Sequence, residues 1–393
     1  MRVGILGQGA SGVILAIMIK KKDPSIEVTI FDHNDKTNKK LLATGNGRCN
    51  LGNTKIDDNS FNSEFALNLY KDFDIYKQRE FFDSIGLETR ILNDTLVYPY
   101  SLSSSQVVAY LNKLLKEYKV KLINDVNLDS YVINKNNVNV VIKNKLYVFD
   151  KFIFACGGKS KSSLGSDGRV FKLLKEHNYV INELKPGLTP IRVIENTKGI
   201  ESERLKGNIK LIKDKKIVYE ENGEVLIKKD GLSGICIMNA SSIIQRVKPG
   251  KKNLIFIDLF SDISEEKLEE KFKKYNGLAG FSFIEGVFTI KMADFIRKNS
   301  GAKNLYKFDN RDVKNIAHYC KNMVFTYKEN YDFDDSQVSI GGVSITNLKD
   351  TLESKIEPNI YFIGEMIDVD GLCGGYNLML SFASSYRVYK NLF

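Results

Sequence analysis

The alternation of apolar and polar residues near the N-terminus predicts a βαβ unit. Residues 2–6 are a short apolar run of the kind found in buried strands. Residues 10–21 carry apolar side chains at helical spacing, and Asp23-Pro24 ends that helix. Residues 27–32 alternate and are rich in β-branched side chains, which indicates a second strand. The two strands should be parallel, with a right-handed crossover.

Further segments continue this pattern on either side of a long middle region. Residues 104–118 are an amphipathic helix, and residues 151–155 are another buried strand. Near the C-terminus, residues 360–363 form a short apolar strand and residues 376–391 a closing helix. Because strands and helices alternate, the pattern is typical of an α/β fold.

The middle region has a different pattern of apolar and polar residues. From about Pro186 to about residue 260, short strand-like runs alternate with Lys/Asn/Gly turns, which predicts an antiparallel or barrel-like insert. Helical periodicity then recurs at 264–275, 288–299 and 310–321. We therefore expect a nucleotide-binding domain that is split by a β-rich insert with a small helical part.

Composition and charge narrow the function classes. The 393 residues are 43% hydrophobic with only 6 Pro, which indicates a globular protein of two or three domains. The net charge of +10 invites a polyanion partner. However, the chain has only 11 Arg but 47 Lys, and Arg is the residue that binds phosphates with a planar pair of donors. The lysines are spread along the chain. A solvated basic surface is the favoured interpretation, and a nucleic-acid partner is not expected.

Cysteine usage and hydropathy indicate a cytoplasmic protein. The five cysteines are widely spaced and form no C-x-x-C pair, which argues against a secreted disulfide framework and against a zinc site. No run of 18 uncharged apolar residues is present, so no membrane association is expected. The histidines have no metal-ligand spacing, so no metal is expected either.

The strongest chemical signal is a Gly-rich turn between the first strand and the first helix. Gly7, Gly9 and Gly12 form G-x-G-x-x-G with Ala10 and Ser11, and an acid, Asp32, ends the next strand. In this context the glycines permit a tight turn, close approach of a pyrophosphate and close helix packing. Asp32 should accept hydrogen bonds from the adenosine ribose, and an acid there disfavours NADP.

Two later strand ends favour FAD over NAD. One strand closes on Ala155, followed by Gly157 and Gly158, and another closes on Gly364-Glu365 before a helix. Flavoproteins of the two-dinucleotide-binding type use such a three-part layout, in which the last part receives the flavin. No second complete G-x-G-x-x-G is present, so a separate NAD(P)H domain is not evident.

One segment carries a family resemblance. Gly45-Asn46-Gly47-Arg48-Cys49-Asn50, with Asn53 after it, resembles the G-x-G-R-C-N-x-x-N signature of bacterial flavoproteins described as aminoacetone oxidase-like or bile-acid-reductase-like. Lys40-Leu41-Leu42 before the signature fits the family, as do residues 364–371 and 374–377. The resemblance spans nearly the whole chain. In place of the family's Thr-His, this chain has Lys228-Lys229 before Asp230.

The resemblance implies an architecture and a reaction type. It implies a split FAD-binding Rossmann-type domain (1–187 and 336–393), a β-rich, barrel-like insert (188–262 and 322–335) and a helical subdomain (263–321). It also implies non-covalent FAD and an oxidoreductase that passes a hydride between flavin and a small organic substrate. NAD(P)H or oxygen would be the other partner. A flavin-containing RNA-binding or RNA-modifying protein and a flavin redox sensor remain alternatives.

Particular residues follow as site candidates. By analogy Glu365 would bind the ribityl hydroxyls, and the helix entry at Gly375, Asn377 and Leu378 would face the flavin. Lys40 and the 45–50 segment (Gly45, Asn46, Gly47, Arg48, Cys49 and Asn50) complete the predicted cofactor site. Arg48 could bind a phosphate or a substrate carboxylate, or form a structural salt bridge. Tyr376 could donate a hydrogen bond to substrate or serve in packing. A Cys49–Cys373 disulfide is a further hypothesis.

Overall fold

The computed structural model describes residues 1–134, 136–247, 253–278, 282–304 and 307–393. These form two compact units. The first consists of Met1–Pro186 and Phe333–Phe393, and the second is Gly187–Asp332. The first unit is thus built from both ends of the chain, with the second inserted between them. The inner bounds of this unit are Pro186 and Phe333, where the sequence-based prediction has 187 and 336.

The strands and helices run as follows. In chain order the strands are β1 (Arg2–Leu6), β2 (Glu27–Phe31), β3 (Gly52–Asn53), β4 (Thr89–Leu92), β5 (Leu96–Pro99), β6 (Lys121–Ile123), β7 (Leu128–Asn134), β8 (Asn137–Ile142), β9 (Lys145–Phe149), β10 (Lys151–Phe154), β11 (Ile181–Gly187), β12 (Ile191–Val193), β13 (Arg204–Lys213), β14 (Lys216–Lys228), β15 (Gly231–Ser233), β16 (Asn253–Asp258), β17 (Met323–Asn330), β18 (Val338–Val343) and β19 (Ile360–Phe362). The helices are α1 (Ala10–Lys22), α2 (Lys39–Leu42), α3 (Glu64–Asp72), α4 (Ile75–Ser84), α5 (Ser104–Glu117), α6 (Val170–Glu176), α7 (Ile235–Arg246), α8 (Glu265–Leu278), α9 (Ile290–Ser300), α10 (Asn310–Lys321) and α11 (Tyr376–Asn391).

The first unit is organised around a five-stranded parallel sheet. Its order is β19-β10-β1-β2-β6, and the neighbouring strands pair in parallel register. The predicted βαβ unit is therefore present, and β1 lies in the middle of the sheet. Val3 and Ile5 are fully buried, as expected of a central strand covered on both faces.

Helix α1 is buried on more sides than its sequence suggests. All residues from Ser11 to Lys20 are buried, including a lysine. The Lys20 ammonium is satisfied by two backbone carbonyls, those of Pro24 at 2.5 Å and Ile26 at 2.9 Å. A buried ammonium without such acceptors would be costly, so the turn after α1 is fixed by this side chain.

The second unit contains the predicted barrel. Six strands close in the order β12-β15-β14-β13-β16-β17. Helices α8, α9 and α10 belong to the same compact unit, and their apolar residues share one core with the barrel. For example, Leu268 and Val313 belong to the same buried cluster as Ile209 and Ile257. The predicted helical subdomain thus has no apolar core separate from that of the barrel.

A polar cluster joins three segments of the first unit. The Glu357 carboxylate, which precedes β19, accepts hydrogen bonds from the hydroxyls of Tyr131 at 2.7 Å and Tyr179 at 2.9 Å. His177 Nδ1 lies 2.8 Å from the other carboxylate oxygen, and its ring stacks on Tyr131. Burial raises the pKa of both tyrosines, with Glu357 acting in the same direction, so both hydroxyls stay protonated and need an acceptor.

We expect Glu357→Ala to lower the free energy of unfolding by about 1–3 kcal/mol, because it leaves the buried Tyr131 hydroxyl without its acceptor, whereas Tyr179 keeps Ser354 Oγ at 2.8 Å. Glu357→Gln keeps one acceptor oxygen and should cost less. The exposed neighbour Glu176→Ala serves as the control and should change stability by less than about 0.5 kcal/mol. Urea unfolding of the three variants measures these differences. Equal stability of Glu357→Ala and Glu176→Ala would contradict the role assigned to the cluster.

Candidate cofactor and active site

The Gly-rich turn has one closed side and one open side. A Cβ added at Gly7, where φ is +117°, would overlap the Ala155 carbonyl, and one added at Gly12 would overlap the Gly7 carbonyl. Around Gly9 the protein leaves open space, with no heavy atom within 4 Å of an added Cβ. Gly9 caps α1 without a side-chain hydrogen bond, so the first N–H groups of that helix are available to an anion.

Buried polar atoms beside this turn have no partner among the described residues. They are Gln8 Oε1 and both side-chain polar atoms of Asn38. Asn38 is only 3% exposed, and its backbone N–H donates to the Gln8 carbonyl at 2.9 Å. A buried amide without a partner costs about 1–3 kcal/mol unless a ligand or water supplies the hydrogen bonds. The turn therefore fits a dinucleotide, which carries many such groups.

Asp32 is held in place at the end of β2. One carboxylate oxygen accepts a hydrogen bond from the Gln8 N–H at 2.6 Å, and the other accepts from the Asn34 N–H at 2.7 Å. Each oxygen keeps a free lone pair, so the carboxylate can still accept from ribose hydroxyls. The structure thus brings the predicted ribose acceptor next to the Gly-rich turn.

Lys40 and Glu365, which are 325 residues apart, form an ion pair of 2.7 Å. The same ammonium donates to Ser160 Oγ at 2.5 Å. Glu365 Oε1 also accepts from Ser160 Oγ at 3.0 Å and from the Ser339 N–H at 2.7 Å. One carboxylate thereby connects four segments of the first unit. Only Oε2 has a lone pair left for the predicted contact with ribityl hydroxyls.

The strand end after β10 packs against the same cluster. A Cβ at Gly158 would lie 2.6 Å from Ser339 Cβ, and Gly157 has a φ of +73°, which favours glycine. Ser339 Oγ accepts from the N–H groups of Lys159 and Ser160. Ala155 is buried against the Gly-rich turn. The three strand ends predicted to form the cofactor site therefore meet at the same sheet edge.

The 45–50 segment is a tight, left-handed turn. Gly45 and Asn46 have φ values of 56° and 54°, and Cys49 has 61°. Gly45 closely approaches the backbone of Asn50, so a side chain there would collide. Gly47, by contrast, faces open space. Arg48 is exposed, and its guanidinium forms no ion pair within the described part of the chain, so the proposed structural salt bridge is not formed.

The loop before α11 is braced by Asn377. Its side chain accepts from the Gly371 N–H and donates to the Gly371 carbonyl, both at 2.9 Å. Gly375, with φ +100°, lies against the backbone of Gly52 and begins the helix. Leu378 lies in the first turn of that helix and is partly buried. The Asn377 amide therefore shapes the loop, and its backbone remains the predicted contact with the flavin.

Tyr376 is placed as a packing residue. It is 8% exposed, its hydroxyl donates to the Lys55 carbonyl at 2.8 Å, and its ring meets Phe61 edge-on with centroids 5.8 Å apart. This placement corresponds to the packing alternative for Tyr376. A role toward substrate stays a prediction.

All five cysteines are free thiols, so the Cys49–Cys373 disulfide is not formed. Burial raises the pKa of Cys49 to about 12, an effect that a hydrogen bond with Thr44 partly opposes. Burial likewise raises the pKa of Cys320 to about 12 and that of Cys236 to about 11. Cys373 is partly exposed, and its thiol donates to Gln337 Oε1 at 3.4 Å.

We expect iodoacetamide at pH 8 to label Cys373 first in the native protein, because the buried thiols are almost fully protonated there. Mass spectrometry of timed samples locates the label, and Cys373→Ser should remove the fast phase. The denatured, unreduced protein should titrate five thiols. Labelling of Cys49 as fast as Cys373 would contradict its burial.

The described residues contain neither a metal-binding cluster nor a membrane-spanning helix. Within residues 1–134, 136–247, 253–278, 282–304 and 307–393, no group of three His, Cys, Asp or Glu side chains could hold a metal ion. In the same ranges, no helix is long and apolar enough to cross a membrane.

Comparison with known proteins identifies the family. Residues 1–391 match the model of the HI0933-like protein Rossmann domain. The chain belongs to this family. It is 30% identical to a 3-dehydro-bile acid delta(4,6)-reductase of Clostridium scindens, with 98% of this chain and 97% of that protein covered. It is 22% identical to a ribosomal RNA dihydrouridine synthase of Haemophilus influenzae over 97% of this chain and 96% of that protein. An Escherichia coli protein of the same name is 21% identical, with 99% and 97% covered.

The HI0933-like chain is an FAD-dependent oxidoreductase. Its Gly-rich turn, Asp32 and the meeting of three strand ends agree with that assignment. Asn38 was not found from the sequence, although its buried amide lies beside the turn. A left-handed φ of 55° places this amide, and Asn is among the few residues that adopt such a conformation readily. The segment contains several other Asn residues, so nothing in the sequence singled out this one.

Proposed function

We propose that the HI0933-like chain reduces a carbon–carbon double bond conjugated to a carbonyl group. The observation that carries this proposal is the 30% identity, over 98% of the chain, to a 3-dehydro-bile acid delta(4,6)-reductase. That name describes a 3-oxo compound with double bonds at positions 4 and 6. The double bond of such an enone is polarised, so its β-carbon accepts a hydride while its α-carbon takes up a proton.

The more distant relatives support the same reaction class. A dihydrouridine synthase reduces the C5–C6 double bond of uracil, which is conjugated to the C4 carbonyl. Relatives named for a steroid-like substrate and for an RNA base therefore share one bond type. When bound and reduced, FAD supplies the hydride for this chemistry. The Gly9 turn, Asp32 and the Lys40–Glu365 pair would hold the cofactor.

We further propose that NADH or NADPH reduces the flavin, and that the substrate is a small molecule. An anaerobic experiment tests both points. The bound flavin, which absorbs near ~450 nm, is reduced with each nicotinamide in turn, and 4-androstene-3,17-dione is then added. We expect bleaching by one nicotinamide and recovery of the absorbance by the enone. Recovery with oxygen but with no enone would overturn the proposal and favour an oxidase.

A second candidate is reduction of uridine in RNA, which the 21–22% identical relatives favour. It predicts salt-dependent binding of RNA and formation of dihydrouridine in RNA incubated with the reduced enzyme. The scarcity of arginine places this candidate second. A redox sensor is distinguished from both by the absence of steady NAD(P)H consumption with any acceptor.

A further inference from the structure

Three of the few arginines lack an acidic partner in one stretch of the first unit. Ion pairs with carboxylates are formed by other arginines, namely Arg2, Arg169, Arg192, Arg204, Arg297 and Arg387. Arg48, Arg79 and Arg90 form no such pair with any residue that the structure describes. Their positive charges are therefore not neutralised by a neighbouring carboxylate.

Arg90 is the most constrained of the three. It lies in β4 opposite Tyr98 of β5, and its guanidinium carbon lies 4.9 Å from the centroid of the Tyr100 ring. Its Nε is buried and has no hydrogen-bond partner in the described residues. The two Nη groups are not buried and make no hydrogen bond to a described residue, so they are the donors that an incoming acceptor can reach. We call Arg90, Tyr98 and Tyr100 the Arg90 face.

The Arg90 face adjoins the segment that carries the family signature. A Cβ added at Gly45 would lie 3.4 Å from Tyr98 Cε1, and the Gly45 carbonyl accepts from the Arg48 N–H at 3.1 Å. The same strand, β5, pairs with Gly52, which lies against Gly375 at the start of α11. Arg48 and Arg90, which have no acidic partner in the described part of the chain, therefore lie on segments that are packed next to the predicted flavin-facing loops.

We propose that the Arg90 face, together with Arg48, binds an oxyanion carried by the substrate. A guanidinium group matches carboxylate and phosphate oxygens with two parallel hydrogen bonds, and stacking on a ring holds its plane fixed. Lysines, which dominate this chain, lack that geometry. The proposal rests on the proposed function and refines it: the substrate is an enone with an anionic group at a distance from the reacting double bond.

Paired substrates with and without the anion test this proposal. The carboxylate enone is 3-oxochol-4-enoate, and the neutral enone is 4-androstene-3,17-dione. We expect Arg90→Gln to raise KM for the carboxylate enone about 10- to 100-fold, with kcat and the neutral enone little changed. Arg90→Lys, which keeps the charge but not the fork, should recover only part of the loss. Arg204→Gln removes an exposed arginine of the barrel unit and should leave KM and kcat unchanged for both substrates.

A binding readout separates the oxyanion site from catalysis. The saturated acid 3-oxocholanoate cannot be reduced, and its Kd follows from the perturbed flavin absorbance. We expect Arg90→Gln to weaken its binding by the same factor. The pair uridine 5′-monophosphate and uridine forms the phosphate arm, and an Arg90-dependent preference for the monophosphate alone assigns the site to phosphate. Flavin content and melting temperature of each variant check its fold, with Arg90→Lys as the milder change.

The outcomes distinguish the two proposals. One result overturns the oxyanion site while the enone reductase stands. In that result Arg90→Gln changes KM equally for the anionic and the neutral enone, and it leaves the Kd of 3-oxocholanoate and of the monophosphate unchanged. If the parent protein reduces neither enone but binds 3-oxocholanoate or the monophosphate in an Arg90-dependent manner, the oxyanion site stands and the proposed reaction fails.

Discussion

Gly9→Ala should weaken FAD binding at least about tenfold while lowering the stability of the apoprotein by less than about 1 kcal/mol. The added methyl group meets no protein atom, because the space around Gly9 is open. It enters the side of the turn from which a pyrophosphate would approach the helix N-terminus. The backbone at Gly9 is extended, so alanine adopts it without strain. Flavin fluorescence titration of the apoprotein measures the Kd.

Gly12→Ala is the matched comparison within the same turn. Here the methyl group would overlap the Gly7 carbonyl, so the turn itself must shift. We expect a loss of about 2–4 kcal/mol in the stability of the apoprotein, together with loss of FAD. The two variants separate a ligand-facing glycine from a packing glycine. If Gly9→Ala binds FAD as tightly as the parent, the pyrophosphate does not lie at Gly9.

Removal of Lys40 should have the second large effect. Lys40→Met leaves the Glu365 carboxylate, which is 19% exposed, without its only cationic partner at 2.7 Å among the described residues. Both side chains are partly exposed, so water screens their attraction. We therefore expect a stability loss of about 1–2 kcal/mol, which is less than for a fully buried pair. FAD affinity should fall at least about tenfold, since Glu365 and the strand ends that it joins form the predicted ribityl site.

A double-mutant cycle tests whether the two residues act together. If the ion pair carries the effect, Lys40→Met with Glu365→Gln should lose little more stability than Lys40→Met alone. Lys39→Met is the control, because Lys39 lies in the same short helix as Lys40 but pairs with the exposed Asp35. Additive losses would show that Lys40 and Glu365 contribute separately, which would contradict the ion pair as the stabilising element.

Much of the first unit could be predicted because its signals are local. The strand β1, the Gly-rich turn and helix α1 follow one another within the first 22 residues, and Asp32 follows shortly after. Such a stretch shows directly the alternation of a strand, the helical spacing of apolar residues and the spacing of the glycines. The insert could also be predicted, because short strands separated by turn residues indicate an antiparallel barrel, and the structure has a closed barrel there.

The helical part of the insert was less predictable. Its periodicity indicates three helices, and the structure has them at α8, α9 and α10. Periodicity cannot say which surface covers an apolar face. Only the packing of Leu268 and Val313 into the barrel core places these helices in one unit with the strands.

The sequence by itself determined the split α/β domain, the barrel-like insert and the dinucleotide turn, because each depends on residues that are neighbours along the chain. Only the tertiary structure decided that Lys40 pairs with Glu365, that the Tyr376 hydroxyl donates to the Lys55 carbonyl and that Tyr98, opposite Arg90, lies against Gly45. These contacts join residues tens to hundreds of positions apart. The packing of strands and helices decides which charged or polar group a side chain meets. No local sequence pattern specifies that packing.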